Sequence, residues 1–195
     1  MVGFDLQSKT RREEDAVTRI PIIDRADMNA EQVRVYDAAK QSTGIVGGPY
    51  HIRLPKLFEA AQNLRASLAS GPLSRREQQI VNLTVARYWN ARYPWFAQVR
   101  NSLAIGIEQA LIDAINARKT PQLPDARERI CFVVANEMLS NKGLSDTSYQ
   151  SAERTMGLES LVALVAAVGS FSMTCLTAGT FQIDPPAANP TPLVE

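Results

Sequence analysis

The apolar residues of this 195-residue chain recur at steps of three and four, and its glycines and prolines fall between the periodic segments instead of inside them. That combination admits helices and little else, because a helix repeats its buried face every 3.6 residues and a strand every second one. No stretch alternates with period two, and no internal repeat is present. From Lys56, the residues Leu57, Ala61, Leu64 and Leu68 fall on one helical face, which Gly71 and Pro72 close. Two reciprocal caps flank that segment. Asn29 with Gln32 opens a helix expected to reach about Lys40, and Ser74 with Glu77 opens another. In each, the short side chain accepts from a backbone amide three residues on while the longer one reaches back. Gln41 to Pro49, with Gly44, Gly47 and Gly48, reads as a loop.

The helix that starts at Ser74 carries two apolar rows, Ile80 with Leu83 and Val81 with Val85 and Tyr88, so it is expected at the centre of the fold. Pro94 suits the first turn of the next helix, where its missing N–H costs nothing. Trp95, Val99 and Leu103 form that helix's stripe, and Gly106 ends it. A helix with Ile107, Leu111 and Ile115 follows, then a loop at Pro121 and Pro124. Asp125 with Glu128 caps a further helix that stops at Gly143. A short helix with Tyr149, Ala152 and Met156 precedes an apolar one from Leu158 to Leu176. The last has the length of a membrane span, but Glu159, Gly169 and several hydroxyls interrupt it and no basic cluster flanks it. A helix buried on all sides of a core is the expectation. The reading is an all-α, single-domain helical bundle: a flexible N-terminus over 1–18, a helical domain over 19–184 and a proline-rich tail over 185–195.

Lysine and arginine total 21 against 20 acidic residues, a net charge of +1 that creates no field to gather nucleic acid or anionic lipid. A small organic partner fits such a surface, with no nucleic acid and no membrane. Cys131 and Cys175 form neither a CxxC pair nor a disulfide framework and read as small buried hydrophobes in a reducing compartment. The opening MVGFDLQSKTRREEDAV has no apolar core of signal-peptide length, so the cytoplasm is the expected location. With His51 the only histidine, no metal site and no cofactor are expected.

The run LSRREQQIVNLTVARYWN from Leu73, followed by ARYPWFAQVRNSLAIGI, resembles the core helical hairpin of the carboxymuconolactone decarboxylase / alkylhydroperoxidase D-like family. The likeness rests on the Leu73–Glu77 cap, the LTVAR segment with Trp89, the Tyr93–Trp95–Ala97 entry to the second helix, and Gly106 beyond it. Upstream RIPIIDRADMNAEQVRVYDA with Gly48-Pro49-Tyr50 is similar to the N-terminal extension of larger members, and LVALVAAVGSFSMT to their last long helix. The resemblance runs from about Arg19 to about Pro185. It implies an alkylhydroperoxidase D-like bundle, a small-molecule pocket between helices, and a homo-oligomer (dimer, trimer or hexamer).

The family's chemistry is altered here. Its redox pair aligns with Ala91 and Pro94, so thiol-dependent peroxide reduction is not expected. Its glutamate and histidine relay aligns with Gln79 and Gln98, which donate and accept hydrogen bonds but take no proton at neutral pH. The catalytic candidates are therefore His51, Gln79, Gln98 and Tyr93, with His51 as the side chain suited to moving a proton near neutrality. Substrate-binding candidates are Tyr50, Asn82, Tyr88 and Trp95; Asn82 lies one turn beyond Gln79 on the same face. Arg53 and Arg87 are candidates for holding a carboxylate. Structural counterparts stand beside these: the glutamines holding helices in register, the aromatics serving as core, Arg53 solvated at the surface.

Two functions fit. One is a cofactor-independent enzyme of the lyase, decarboxylase, isomerase or cyclase type, whose amide and phenol donors replace the family's proton relay. The other is a non-catalytic ligand-binding or oligomeric scaffold member of the same family.

Overall fold

A computed structural model of the chain describes residues 18–43 and 49–194. The expected N-terminal segment and the Gly44, Gly47 and Gly48 stretch lie outside these residues. Among the described residues there is no strand. The helices are α1 (Ala30–Thr43), α2 (Pro55–Ala69), α3 (Arg75–Tyr88), α4 (Arg92–Ala104), α5 (Gln109–Asn116), α6 (Ala126–Asn141) and α7 (Asp146–Thr180), with 3-10 turns at Arg25–Asp27 before α1 and Pro49–Arg53 before α2. α1 thus runs past Lys40 into what reads in the sequence as loop.

α3 is the hub, touching α4, α5, α6 and α7. Ile80, Val81, Leu83 and Val85 on it are all fully buried, which is what two apolar rows on one helix require. The main core gathers around them, with Trp95, Val99, Ile112, Cys131, Val134 and Leu164. Val35, Ala39, Ile52 and Phe58 make a smaller core where α1 crosses α2.

The caps form as the sequence implies. Asn29 and Gln32 exchange hydrogen bonds of 2.9 Å in both directions at α1, Ser74 and Glu77 close the box at α3, and Asp125 accepts from the amides of Arg127 and Glu128 at α6. At the other ends, α3, α4, α5, α6 and α7 are followed by a left-handed residue, respectively Asn90, Gly106, Arg118, Lys142 and Gln182. Glycine is the usual occupant of such a position because it has no Cβ to clash. Only Gly106 follows that preference, and α6 turns at Lys142 and not at the expected Gly143.

Two packing expectations are overturned. Leu57 and Leu64 of α2 are exposed, while Phe58 and Ala61 are buried. The helix is rotated by about one residue, because burying the Phe58 ring removes more apolar surface than either leucine would. α7 is not buried on all sides. Leu161, Leu164, Val168 and Cys175 pack inward, whereas Val162 is 68% exposed and Leu158, Val165 and Leu176 lie open beside it. Its neighbours α2, α3, α4 and α6 leave that outer row uncovered. By length and composition α7 is the one described helix apolar enough to cross a membrane.

α7 is also interrupted, as the sequence implies between Met156 and Leu158. Gly157 takes φ 78° and ψ 161°, which divides the element in two. A Cβ there would meet nothing within 4 Å, so the backbone angle and not space requires glycine. The proline-rich tail lies against the body: Trp95 Nε1 donates to Thr191 O at 2.9 Å, and Asn116 Nδ2 to Pro192 O at 2.8 Å.

Candidate functional site

The α3–α4 hairpin is held at its open end by one carboxylate. Glu77, 3% exposed, completes the cap of α3 and also accepts from Arg127 Nε at 2.7 Å. Arg127 in turn reaches Pro72 O at 3.3 Å and Met156 O at 3.4 Å, next to the break in α7. The ion pair holds the Arg127 guanidinium above its usual range, its hydrogen bond to Glu77 being the chief cause. α3, α6 and α7 are thereby locked at one point, and the positions along α3 follow.

Gln79 and Asn82 are one turn apart on α3, and Gln98 and Asn101 one turn apart on α4. All four line a single cleft of about 310 Å³ between these helices, α2 and α7. Tyr93 and Pro94 form the wall at the start of α4, Arg65 and Leu68 the wall from α2, and Ala167, Phe171 and Thr174 the wall from α7. The amides are oriented by neighbours. Ser102 Oγ donates to Gln79 Oε1 at 3.2 Å, and Asn82 Nδ2 to Gln98 Oε1 at 3.4 Å. Each glutamine carbonyl accepts one of these bonds, and among the described residues no hydrogen bond engages the two Nε2 groups or Asn82 Oδ1. Gln78 is different: its Nε2 is spent on Leu68 O and Leu73 O, at 3.1 and 2.8 Å, tying α2 to α3.

Of the sequence-derived catalytic candidates, Gln79, Gln98 and Tyr93 meet in this cleft, and so does Asn82. His51 is not among the lining residues. It stands half-buried in the Pro49–Arg53 turn, with burial and then the nearby charge of Arg65 lowering its pKa below the usual range. Arg65, whose charge acts on His51, also lines the cleft. Tyr88 lines a separate cleft with Thr84, Arg118 and Phe132. Trp95 is fully buried in the core, and the side chain of Tyr50 lies outside the described residues. Arg53 is exposed and donates to Pro21 O at 2.6 Å.

Sequence reasoning missed Arg65, Asn101, Ser102 and Thr174. Asn101 and Ser102 follow Gln98 by three and four residues, so the helical repeat places them on its face. Arg65 falls in the row with Phe58, Ala61 and Leu68, which the leucine pattern of α2 masked.

Among the described residues no three His, Cys, Asp or Glu side chains gather as a metal cluster would. Both cysteines are buried and unpaired. Burial, reinforced by Glu77, pushes the Cys131 thiol up to about 12, and burial raises Cys175 as well. Neither is a thiolate at neutral pH, and neither lines the cleft.

The helices have the fold of the alkylhydroperoxidase D-like proteins. An uncharacterized peroxidase-related protein from Ralstonia eutropha, described as an alkylhydroperoxidase AhpD core, superposes with a TM-score of 0.73 over 88% of this chain and 94% of its own, at 16% identity. A peroxidase-related protein from Silicibacter gives 0.72 over 93% and 97%, at 18% identity. The debrominase Bmp8, in a variant bound to 2,3,4-tribromopyrrole, gives 0.69 over 91% and 95%, at 13% identity. No family model and no curated protein sequence matches the chain significantly.

Proposed function

We propose that this protein is a cofactor-independent enzyme acting on a small organic substrate, of the lyase, decarboxylase, isomerase or cyclase type, in the cleft between α2, α3, α4 and α7. The supporting observation is the convergence of Gln79, Asn82, Gln98 and Tyr93 on one half-open space, with two amide N–H₂ groups and one carbonyl left for a ligand. Such groups stabilise charge as it develops on a carbonyl or enolate without exchanging a proton themselves. A single well-placed donor of this kind is worth about a hundredfold in rate. The apolar wall of Leu68, Ala97, Ala167 and Phe171 lowers the local polarity on one side and strengthens those dipoles. Tyr93 supplies the phenol, and Arg65 the single ionised group in the lining, suited to a substrate carboxylate.

A second reading has its own observation. Among the described residues the lining holds no histidine, cysteine or carboxylate, so a protein that binds a small molecule without transforming it fits the same cleft.

The experiment is a thermal-shift screen of small carboxylic acids, lactones and halogenated heteroaromatics, the last chosen because the Bmp8 variant binds a tribromopyrrole. Hits are then incubated and followed by mass spectrometry. A ligand that raises the melting temperature should bind Gln79→Leu and Gln98→Leu at least tenfold more weakly, while both variants unfold within about 1 kcal/mol of the parent. Equal binding by the variants removes the cleft from consideration. Tight binding without turnover replaces the enzyme with the binding protein.

A further inference from the structure

A second cleft, of about 860 Å³, opens on the other side of the same hairpin, between the ends of α3 and α5 and the C-terminal tail. Arg87 is 6% exposed and spends its guanidinium on neutral oxygens: Nε on Asn116 O at 2.6 Å, Nη2 on Val194 O at 2.8 Å, and Nη1 on Asn90 Oδ1. Arg118 donates to that same Asn90 oxygen at 3.0 Å, so two cations stand within two hydrogen bonds of each other. Neither makes an ion pair among the described residues. Arg92, the third arginine of the cleft, is already answered by Asp184 at 2.8 Å. Glu137, which lines the adjoining cleft, is engaged by Ser145 N and Ser148 Oγ. Burial, with the charge of Arg118 added, lowers the Arg87 pKa.

Buried cations are as a rule paired, because desolvating one without a counter-charge costs several kcal/mol. The carbonyl ends of α3 and α5 offset part of this, each equivalent to about half an elementary charge. Arg87 is thus held by neutral oxygens, with no carboxylate bonded to it among the described residues.

We infer that the Arg87–Arg118 pair is a binding site for a small oxyanion, a carboxylate or a phosphate, separate from the amide-lined cleft. The planar fork of exposed Arg118 suits two oxygens of one anion, and the buried charge of Arg87 beside it adds attraction. Arg118 is solvent-exposed and held by a single hydrogen bond to Asn90, while Arg87 is fixed by its three acceptors.

The test is titration calorimetry of the full chain with inorganic phosphate, and in parallel with succinate, at constant ionic strength set with chloride. Saturable binding of at least one of them is expected, weakened at least tenfold in Arg118→Gln, whose exposed position leaves the fold intact. Arg100→Gln, an exposed arginine of α4 outside this cleft, should bind as the parent does. Tighter binding of succinate assigns a carboxylate ligand, and tighter binding of phosphate a phosphate. The proposal is overturned if neither anion binds beyond the chloride background, or if Arg118→Gln binds either one unchanged.

Discussion

The two clefts share the α3–α4 hairpin but are made from different parts of a helix. The amide-lined cleft lies along helix sides, where every backbone N–H and C=O is used within its own helix and only side chains supply polarity. It carries Gln79, Asn82, Gln98 and Asn101, groups that hydrogen-bond without bringing a charge into a half-apolar space. The arginine cleft lies at the C-terminal ends of α3 and α5, where free carbonyls attract cations, and there the chain places Arg87 and Arg118. Where a pocket sits on its helices therefore selects the ligand it can favour: a polarisable neutral group along the sides, an anion beyond the ends.

If that contrast depends on one shared frame, breaking the frame should abolish both clefts. Glu77→Ala removes the reciprocal half of the capping box of α3 and leaves the Arg127 guanidinium without its carboxylate, at the point where α3, α6 and α7 meet. A loss of about 3 kcal/mol is expected in denaturant unfolding, combining a weakened cap with a broken and mostly buried pair. Ligand binding in both clefts should fall with it. Retention of full stability would mean that the clefts are held by packing alone.

Trp95→Phe should divide the two. The indole fills the core, and its Nε1 tethers the tail at Thr191, on the arginine side. A smaller ring and an unsatisfied carbonyl are expected to cost about 2 kcal/mol. The tail that lines the arginine cleft loses its tether, so phosphate binding should weaken several-fold while ligands of the amide cleft bind as before. Equal loss at both sites would show the hairpin moving as one body.

The contrast also separates what was legible in the sequence from what was not. The caps at Asn29, Ser74 and Asp125 and the two rows on α3 are local signals, encoded within four residues, and the helices they imply are present. Gln79, Asn82, Gln98 and Tyr93 reach one cleft because one-turn spacings along two helices joined by a short turn leave few ways to face each other. Arg65 and the α7 wall were not legible, since they depend on how sequence-distant helices are rotated. Phe58 outcompeting Leu57 and Leu64 is that rotation decided by packing. Arg87 stands out in the sequence as a candidate for a carboxylate, but nothing in the primary structure pairs it with Arg118. That meeting depends on the left-handed residues after α3 and α5, positions where composition alone would call for glycine.

Arg118 itself provides the finest test of the comparison. With φ 56° at the residue that ends α5, it sits where glycine would relieve backbone strain and remove one of two facing cations. Arg118→Gly should therefore stabilise the protein by about 0.5–1 kcal/mol in chloride buffer. In phosphate the order should reverse. A ligand that binds only the folded parent adds RT ln(1 + [L]/Kd), about 1.4 kcal/mol at ten times Kd, and the glycine variant receives little of it. Urea unfolding of both proteins in matched chloride and phosphate buffers measures this directly. A variant less stable than the parent in both buffers would make Arg118 a structural residue, whereas a crossing of the two stabilities would show that the chain keeps a strained arginine there because an anion uses it.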